Sequence, residues 1–391
     1  MVQEVENQDI CKITDGAMDC GTTNNADGQP DDLQDLAFKI ASLGGPTYAA
    51  AFDRDSSDLR GIVPAFMYRT DRVQLVSPGD DPLLGGLPAI DYAGAAASFN
   101  SDVSNPKTLN ATSLADTTGC ETTMVFPRAP DIGLFRIWRD GIGSSVFTDV
   151  YVVNNHFKSG PNSCVAPRTE QAKYNAAIVS FLQDAKPNAH IVVGGDLNVY
   201  PRPDDPFAPI GQSGSSDQLG ALYDSSLGLT NLWDVLLGQV PESAYSYVYQ
   251  GQAQTLDQIF TNQSMLSDLE QIRSAHINSD FPADYPGDVA RGTSDHDPQL
   301  ASFSDLPTID RLEELVRYYD ANGMITGNNT TRILLDRLEK AGRFQQNGQQ
   351  DAYMSQLQAF IDQIYDFTPQ FITQEAADAL VNETTLLQSL P

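Results

Sequence analysis

His190-Ile191-Val192-Val193-Gly194-Gly195-Asp196-Leu197-Asn198 passes from an apolar run, through a glycine pair, to a carboxylate and an amide. From His190 to Val193 it is a short apolar run, as expected of a strand buried on both faces of a sheet. Gly194 and Gly195 then allow a close backbone turn. Asp196 follows, held firmly enough in such a buried approach to orient a water, with Asn198 two residues on. The competing reading of this segment is a plain Asx turn.

Outward from this strand, the chain alternates strands and helices. Upstream, residues 171–182 place Ala172, Asn175, Ala176, Val179 and Leu182 on one side of a helix. Leu134 to Trp138 and Phe147 to Asn154 read as core strands, as do Tyr48 to Phe52 and Ile62 to Tyr68. Leu33, Leu36, Ala37, Ile40 and Leu43 give a helical period that Gly44-Gly45-Pro46 ends. Leu219 to Leu237 is helical in part, Thr255 to Phe260 is a strand, and Leu300 to Phe303 closes this part of the chain. Asp15 to Asp32 reads as a surface loop, and Pro78 to Thr123, rich in Gly, Ala, Ser and Asn, as a long excursion. Repeated strand–helix alternation argues an α/β class.

Four short motifs carry the chemistry: Val2-Gln3-Glu4-Val5-Glu6, Asn155-His156-Phe157-Lys158-Ser159, Gly194-Gly195-Asp196-Leu197-Asn198 and Ser294-Asp295-His296-Asp297-Pro298. Each sets a carboxylate, amide or imidazole at the end of an apolar run. Together they supply hard oxygen ligands for a divalent cation and imidazoles to move protons, which is what metal-assisted phosphodiester hydrolysis requires.

In this order the motifs resemble the endonuclease/exonuclease/phosphatase superfamily, which includes DNase I-like nucleases, abasic-site endonucleases and neutral sphingomyelinases. The resemblance covers about residues 1–304 and implies an α/β sandwich of two packed mixed sheets with helices outside. It also implies a strand and a helix ahead of Met1, so the chain is expected to be an N-terminally incomplete catalytic domain. By the same resemblance Glu4 and Asp295 are the metal ligands, with Mg²⁺ as the cation and Mn²⁺ or Ca²⁺ as alternatives. His156 contacts the scissile phosphate and donates a proton. Asp196 positions or deprotonates the nucleophile, and Asn198 binds a phosphate oxygen or the metal. His296 is general base or phosphate stabiliser, with Asp257 as the carboxylate that fixes its tautomer, and a neutral imidazole near pH 7 suits that role. Arg60, Asn155 and Lys158 are expected to contact substrate. His190 and His276 match no motif and are expected to be structural.

Residues 305–391 change character. Ile309, Leu312, Leu315, Val316 and Tyr319 lie on one face of a helix; Ile333, Leu335, Leu338 and Ala341 suggest a second. Tyr353, Leu357, Phe360, Ile361 and Ile364 give a third, and Ala376, Ala377, Leu380, Val381 and Leu387 a fourth. Helices this short need one another's apolar faces, so a small all-α bundle follows. Tyr318-Tyr-Asp-Ala-Asn-Gly-Met-Ile325, Leu338-Glu-Lys-Ala341 and Leu357-Gln-Ala-Phe360 resemble the FIMAH domain of bacterial secreted and surface proteins. The segment holds no His, and an accessory role toward a cell surface or another protein is expected.

The net charge is −29. A nucleic-acid binder ordinarily shows a basic footprint, and this chain has none. An acidic surface suited to saline surroundings, with the substrate gripped locally by a cation and a few basic groups, reconciles the two. No apolar run approaches the ~18 residues of a membrane span. Cys11, Cys20, Cys120 and Cys164 form no CxxC pair, and their even number suggests two disulfides, Cys11–Cys20 and Cys120–Cys164, or else reduced buried thiols. Secretion is expected from the resemblance and the cysteines, although the sequence shows no signal peptide. The expected function is a secreted nuclease acting on DNA or RNA. The alternatives are a sphingomyelinase-like or other phosphoesterase, or a non-catalytic binding module.

Overall fold

A computed structural model describes residues 1–6, 11–14, 17–20, 32–52, 62–77, 90–92, 95–99, 107–110, 120, 126, 128–161, 163–201, 217–281, 294–327 and 329–390. In chain order the strands are β1 (Val2–Glu6), β2 (Cys11–Thr14), β3 (Ala17–Cys20), β4 (Tyr48–Ala51), β5 (Ile62–Arg69), β6 (Val73–Leu75), β7 (Ile90–Tyr92), β8 (Ala95–Phe99) and β9 (Lys107–Asn110). They continue with β10 (Asp131–Trp138), β11 (Phe147–His156), β12 (His190–Asp196), β13 (Leu229–Asn231), β14 (Tyr247–Tyr249), β15 (Gln252–Gln254), β16 (Asp257–Asn262), β17 (Leu269–Ser274) and β18 (Gln299–Phe303). The helices are α1 (Asp32–Ser42), α2 (Val165–Ala185), α3 (Leu232–Gln239), α4 (Gln263–Leu266), α5 (Ile309–Ala321), α6 (Thr330–Gln346), α7 (Gln350–Phe367) and α8 (Gln374–Ser389).

The chain divides into two compact units, Met1–Arg136 with Asp149–Phe303, and Ile137–Thr148 with Ser304–Pro391. The first unit is α/β. Its large sheet runs β13-β16-β12-β11-β10-β9-β8-β7, with β6 paired to β10. β12 is parallel to β11 and antiparallel to β16, so the sheet is mixed. Parallel neighbours need a crossover, and α2 provides it. Its buried Ala172, Ile178, Val179 and Leu182 share a core with Tyr151, Val153, Ile191, Val193 and Phe260. β12 is buried along its whole length, as its apolar run requires.

A smaller antiparallel sheet, β1-β5-β4, is tied to the large one by an amide. Asn154 of β11 is buried, and its Nδ2 donates to Val2 O at 3.1 Å and Ala65 O at 2.7 Å. Its Oδ1 accepts from Gln3 Nε2 at 2.6 Å. A buried amide left unpaired costs about 1–3 kcal/mol, and these bonds satisfy Asn154 only where the two sheets meet. Phe66 and Phe135 add an edge-to-face contact with centroids 5.0 Å apart.

The second unit closes as a four-helix bundle, with α5 against α6 and α8, and α7 against α6 and α8. The predicted faces of α5 and α7 are the buried ones. In α6 the buried row is Leu334, Leu338 and Ala341, so Leu334 takes the place expected of Ile333 and Leu335, which are half-buried. Thr308 and Thr373 cap α5 and α8. Segment 137–148 belongs to this unit rather than to the first, a difference from a division at residue 304. Trp138 and Phe147 are buried in the helical core, and Tyr319 donates its hydroxyl proton to Ser145 O at 2.6 Å.

Several elements were not legible in the sequence. Short strands β7, β8 and β9 lie within the expected excursion, and β3 lies within the expected loop. The hairpin β14–β15 and strand β17 are further additions. α2 begins six residues before Gln171, because Pro167 is tolerated in a first turn whose N–H groups have no helical partner. Cys120 and Cys164 are free thiols, with Cys164 Sγ directed at the Cys120 carbonyl oxygen, 3.9 Å away, so the expected bridge between them is absent. Cys11 and Cys20 are opposite one another in the β2–β3 register; their side chains lie outside the described residues.

Both glycines ahead of Asp196 are demanded by space. A Cβ on Gly194 would stand 2.5 Å from Gln258 O, and one on Gly195, at φ 126°, would overlap Asn155 O. Gly195→Ala is therefore expected to destabilise the protein by at least about 2 kcal/mol, read as a lowered denaturant midpoint at unchanged m-value.

Candidate active site

The register of the large sheet sets three side chains in a row. His156 ends β11 opposite Asp196 of β12, and Asp196 stands opposite Asp257 of β16. His156 Nε2 is 3.7 Å from Asp196 Oδ2. The fourth group arrives from the loop before β18: His296 Nδ1 bonds Asp257 Oδ2 at 2.6 Å. The fifth arrives from the small sheet. Between Val2 and Val5 the β1–β5 register slips, and Glu4 adopts φ 58°. Bulges re-aim side chains, and this one puts Glu4 Oε1 3.7 Å from His156 Nε2.

Glu4, His156, Asp196, Asn198, Asp257, Asp295 and His296 all line one cleft of about 800 Å³. Two other predicted residues, Asn155 and Lys158, are not brought there. Asn155 points to the opposite side of β11, where its Oδ1 accepts from Asn175 Nδ2 of α2 at 2.9 Å; strand alternation puts it away from His156. Its expected substrate contact is therefore corrected to a structural one. Lys158 does not line the cleft, and its Nζ donates to Ser159 O at 3.3 Å. Arg60 lies outside the described residues. Neither His190 nor His276 lines the cleft.

Asp196 is gripped from below. Its Oδ1 accepts from Asn198 N and its Oδ2 from Asn198 Nδ2, both at 2.9 Å, with Asn198 in the left-handed region at φ 50°. The Asx turn is thus present, and it fixes the carboxylate rather than replacing its exposure to the cleft. Burial pushes the Asp196 carboxyl up to about 7, the Asp257 charge adds to the rise, and His296, Asn198 and Arg128 oppose it. For His296, burial disfavours the charged ring. The Asp257 hydrogen bond and charge, then Asp196 and Asp295, outweigh burial and raise it to about 9. These acidic neighbours favour the charged ring, whereas a role as base asks for the neutral one.

Several residues that position this set were given no role by the sequence. Asp297 is buried, and its Oδ1 accepts from Ile277 N and Asn278 N at 2.8 Å, while His276 Nδ1 is 3.1 Å from Oδ2. Burial pushes its carboxyl up, but bonds from the Ser279 hydroxyl, the Asn278 and Ser279 N–H groups and His276 hold it below the usual range. Asn278 Nδ2 donates to His296 O at 2.8 Å. Arg128 Nη2 donates to Phe157 O at 2.8 Å, and Arg168 Nη1 donates to Lys158 O at 3.0 Å, bracing the turn after His156. A second Asp in Ser294–Pro298 was visible, but a lone buried Arg has no sequence signal.

The donor set suits a hard divalent cation, since Glu4 and Asp295 present exposed carboxylates to the cleft. Asp196, Asp257 and His296 also offer ligand atoms within 4.8 Å of one another. Within that triad His296 is bonded to Asp257, and Asp196 is bonded to Asn198.

Residues 309–389 match the family model of the FIMAH domain. No curated protein matches the chain. Solved structures similar to it include truncated Caenorhabditis elegans TDP2, at 16% identity over 69% of this chain and 79% of that one, TM-score 0.38. The 3′ phosphatase NExo from Neisseria, bound to a product DNA hairpin, is 16% identical over 68% and 82%, TM-score 0.35. An endonuclease/exonuclease/phosphatase family protein from Bacteroides thetaiotaomicron is 16% identical over 69% and 78%, TM-score 0.37. Likeness of that degree says nothing about activity.

A folded-state value near 9 against an ordinary 6.5 means His296 contributes stability fully present below pH 6.5 and lost as pH rises through about 9. NMR titration of the metal-free protein is expected to find this imidazole near 9, and Asp257→Asn is expected to lower it.

Proposed function

We propose that this chain is a divalent-metal-dependent phosphodiester hydrolase, a nuclease that acts on DNA or RNA outside the cell. The observation that supports this reading above all is the row His156–Asp196–Asp257 with His296 bonded to its end, all facing one acidic cleft. Two imidazoles and a carboxyl poised near 7 are the groups needed to move protons on and off a phosphodiester. Among the described residues no helix is long and apolar enough to cross a membrane.

In the proposed reaction a water attacks phosphorus in line with the leaving oxygen. Asp196 orients it and takes its proton, which a carboxyl near 7 does at neutral pH. Asp257 holds His296 by Nδ1, so Nε2–H is directed away from that bond and donates to a phosphate oxygen. His156 donates to the leaving oxygen as the P–O bond breaks, and Asn198 anchors Asp196 throughout. Mg²⁺, or Mn²⁺ or Ca²⁺ in its place, would be held by Glu4 and Asp295 and would offset the phosphate charge. The helical unit is proposed as an accessory module toward a cell surface or another protein.

A plasmid-nicking assay with Mg²⁺, Mn²⁺, Ca²⁺ or EDTA, at low and high salt, tests this. Nicking is expected with a divalent cation, none with EDTA, and a fall of about 10²–10⁴-fold in His156→Ala and in His296→Ala. Full activity in His296→Ala would refute the role given to that residue. Phosphocholine release from micelles in place of nicking would move the reading to a lipid phosphodiesterase.

A further inference from the structure

Beside the catalytic pair stands a run of aromatic rings that the proposed chemistry does not use. Tyr247 packs against His296, ring centroids 4.7 Å apart at 37°. Tyr249, two residues on and so on the same strand face, lies nearly parallel to Tyr247 at 13°, centroids 6.3 Å apart. The rings thus lead outward from the catalytic imidazole, and exposure rises along them. Tyr247 is half-buried, while Tyr249 is 51% exposed.

The support beneath these rings is rigid and is shared with the site. Gln250 and Gly251 both have positive φ, 51° and 80°, the form of a tight two-residue hairpin turn. At the base, Ser246 Oγ accepts from Leu256 N and Asp257 N at 3.2 Å. Ser246 O accepts from Asp297 N at 2.7 Å, and Tyr247 forms a backbone bridge with His296. The hairpin that displays Tyr249 is therefore anchored to the strand start that carries Asp257 and to the segment that carries His296.

The charge balance indicates what such a surface would hold. The chain carries −29, and no Lys or Arg is among the described residues lining the cleft. Among the described residues of the cleft, then, no Lys or Arg offers the phosphate contacts that usually supply affinity for a polyanion. Stacking on aromatic rings supplies affinity without positive charge, and a nucleobase offers its face only when it is not enclosed in a duplex.

We propose that Tyr247 and Tyr249 form a stacking platform for bases of an unpaired nucleic-acid strand leaving the cleft, Tyr247 as the inner rung and Tyr249 as the outer. The platform makes this protein prefer single-stranded or frayed segments, and its contribution to affinity resists salt. The proposal rests on the nuclease reading for the identity of the ligand.

The test is binding of fluorescent single-stranded oligonucleotides with uncleavable methylphosphonate linkages to the full chain in Mg²⁺, by anisotropy. One oligonucleotide bears bases and the other carries abasic residues. The intact protein is expected to prefer the base-bearing strand about tenfold, within the range for one stacked base. Tyr249→Phe keeps that preference, Tyr249→Ala lowers it, and Tyr247→Ala with Tyr249→Ala removes it. Equal binding of both strands by the intact protein, or an undiminished preference in Tyr249→Ala, overturns the platform. Base preference in a protein that cleaves no natural strand with any of the three cations supports the platform and refutes the hydrolase reading; cleavage without base preference does the reverse.

Discussion

The site depends on the close approach of β12 to the strands on either side of it. β12 is parallel to β11 and antiparallel to β16, and its last residues pass so near both that a side chain at 194 or 195 would meet backbone oxygen. That approach fixes the register, and the register sets His156, Asp196 and Asp257 abreast. Because strand side chains alternate, a slip of one residue would turn Asp196 to the other face of the sheet. The glycine pair is thus a condition for that alignment, not a loop between a strand and Asp196.

Crowding of like charge is the second consequence. Asp196 and Asp257 are neighbours across a buried ladder, and Asp295 comes close enough to raise His296. Two carboxylates so placed push one pKa up, and an imidazole among them is held charged. Among the described residues that line the cleft there is no Lys or Arg to offset the carboxylate charge. The aromatic run beside His296 fits that scarcity, for it offers contact without charge.

Around this core lies a shell of buried polar groups that hold loops rather than substrate. Asp297 gathers the 277–279 backbone, Ser246 ties the β14–β15 hairpin to Asp257, and Arg128 and Arg168 brace the chain after His156. Buried groups of this kind cost stability unless fully paired. Here each is paired to a segment that carries or adjoins a residue of the cleft.

Elements with strong periods, and the residues that end them, were legible in the chain alone. The apolar run before Gly194, the helical faces of α5 and α7, and seven cleft residues from Glu4 to His296 were all legible, because each lies at the end of a locally patterned segment. What the sequence left open is where neighbours in sequence diverge in space. Asn155 and His156 are adjacent, yet alternation sends one to α2 and the other to the cleft. Short strands such as β7 to β9 lack a period long enough to detect, and segment 137–148 joins the helices through Trp138 and Phe147. That carboxylates would crowd His296 and that Tyr247 would lie on its ring was settled by the fold. Ionisation and stacking depend on distances between segments far apart in the chain, and local pattern does not encode those distances.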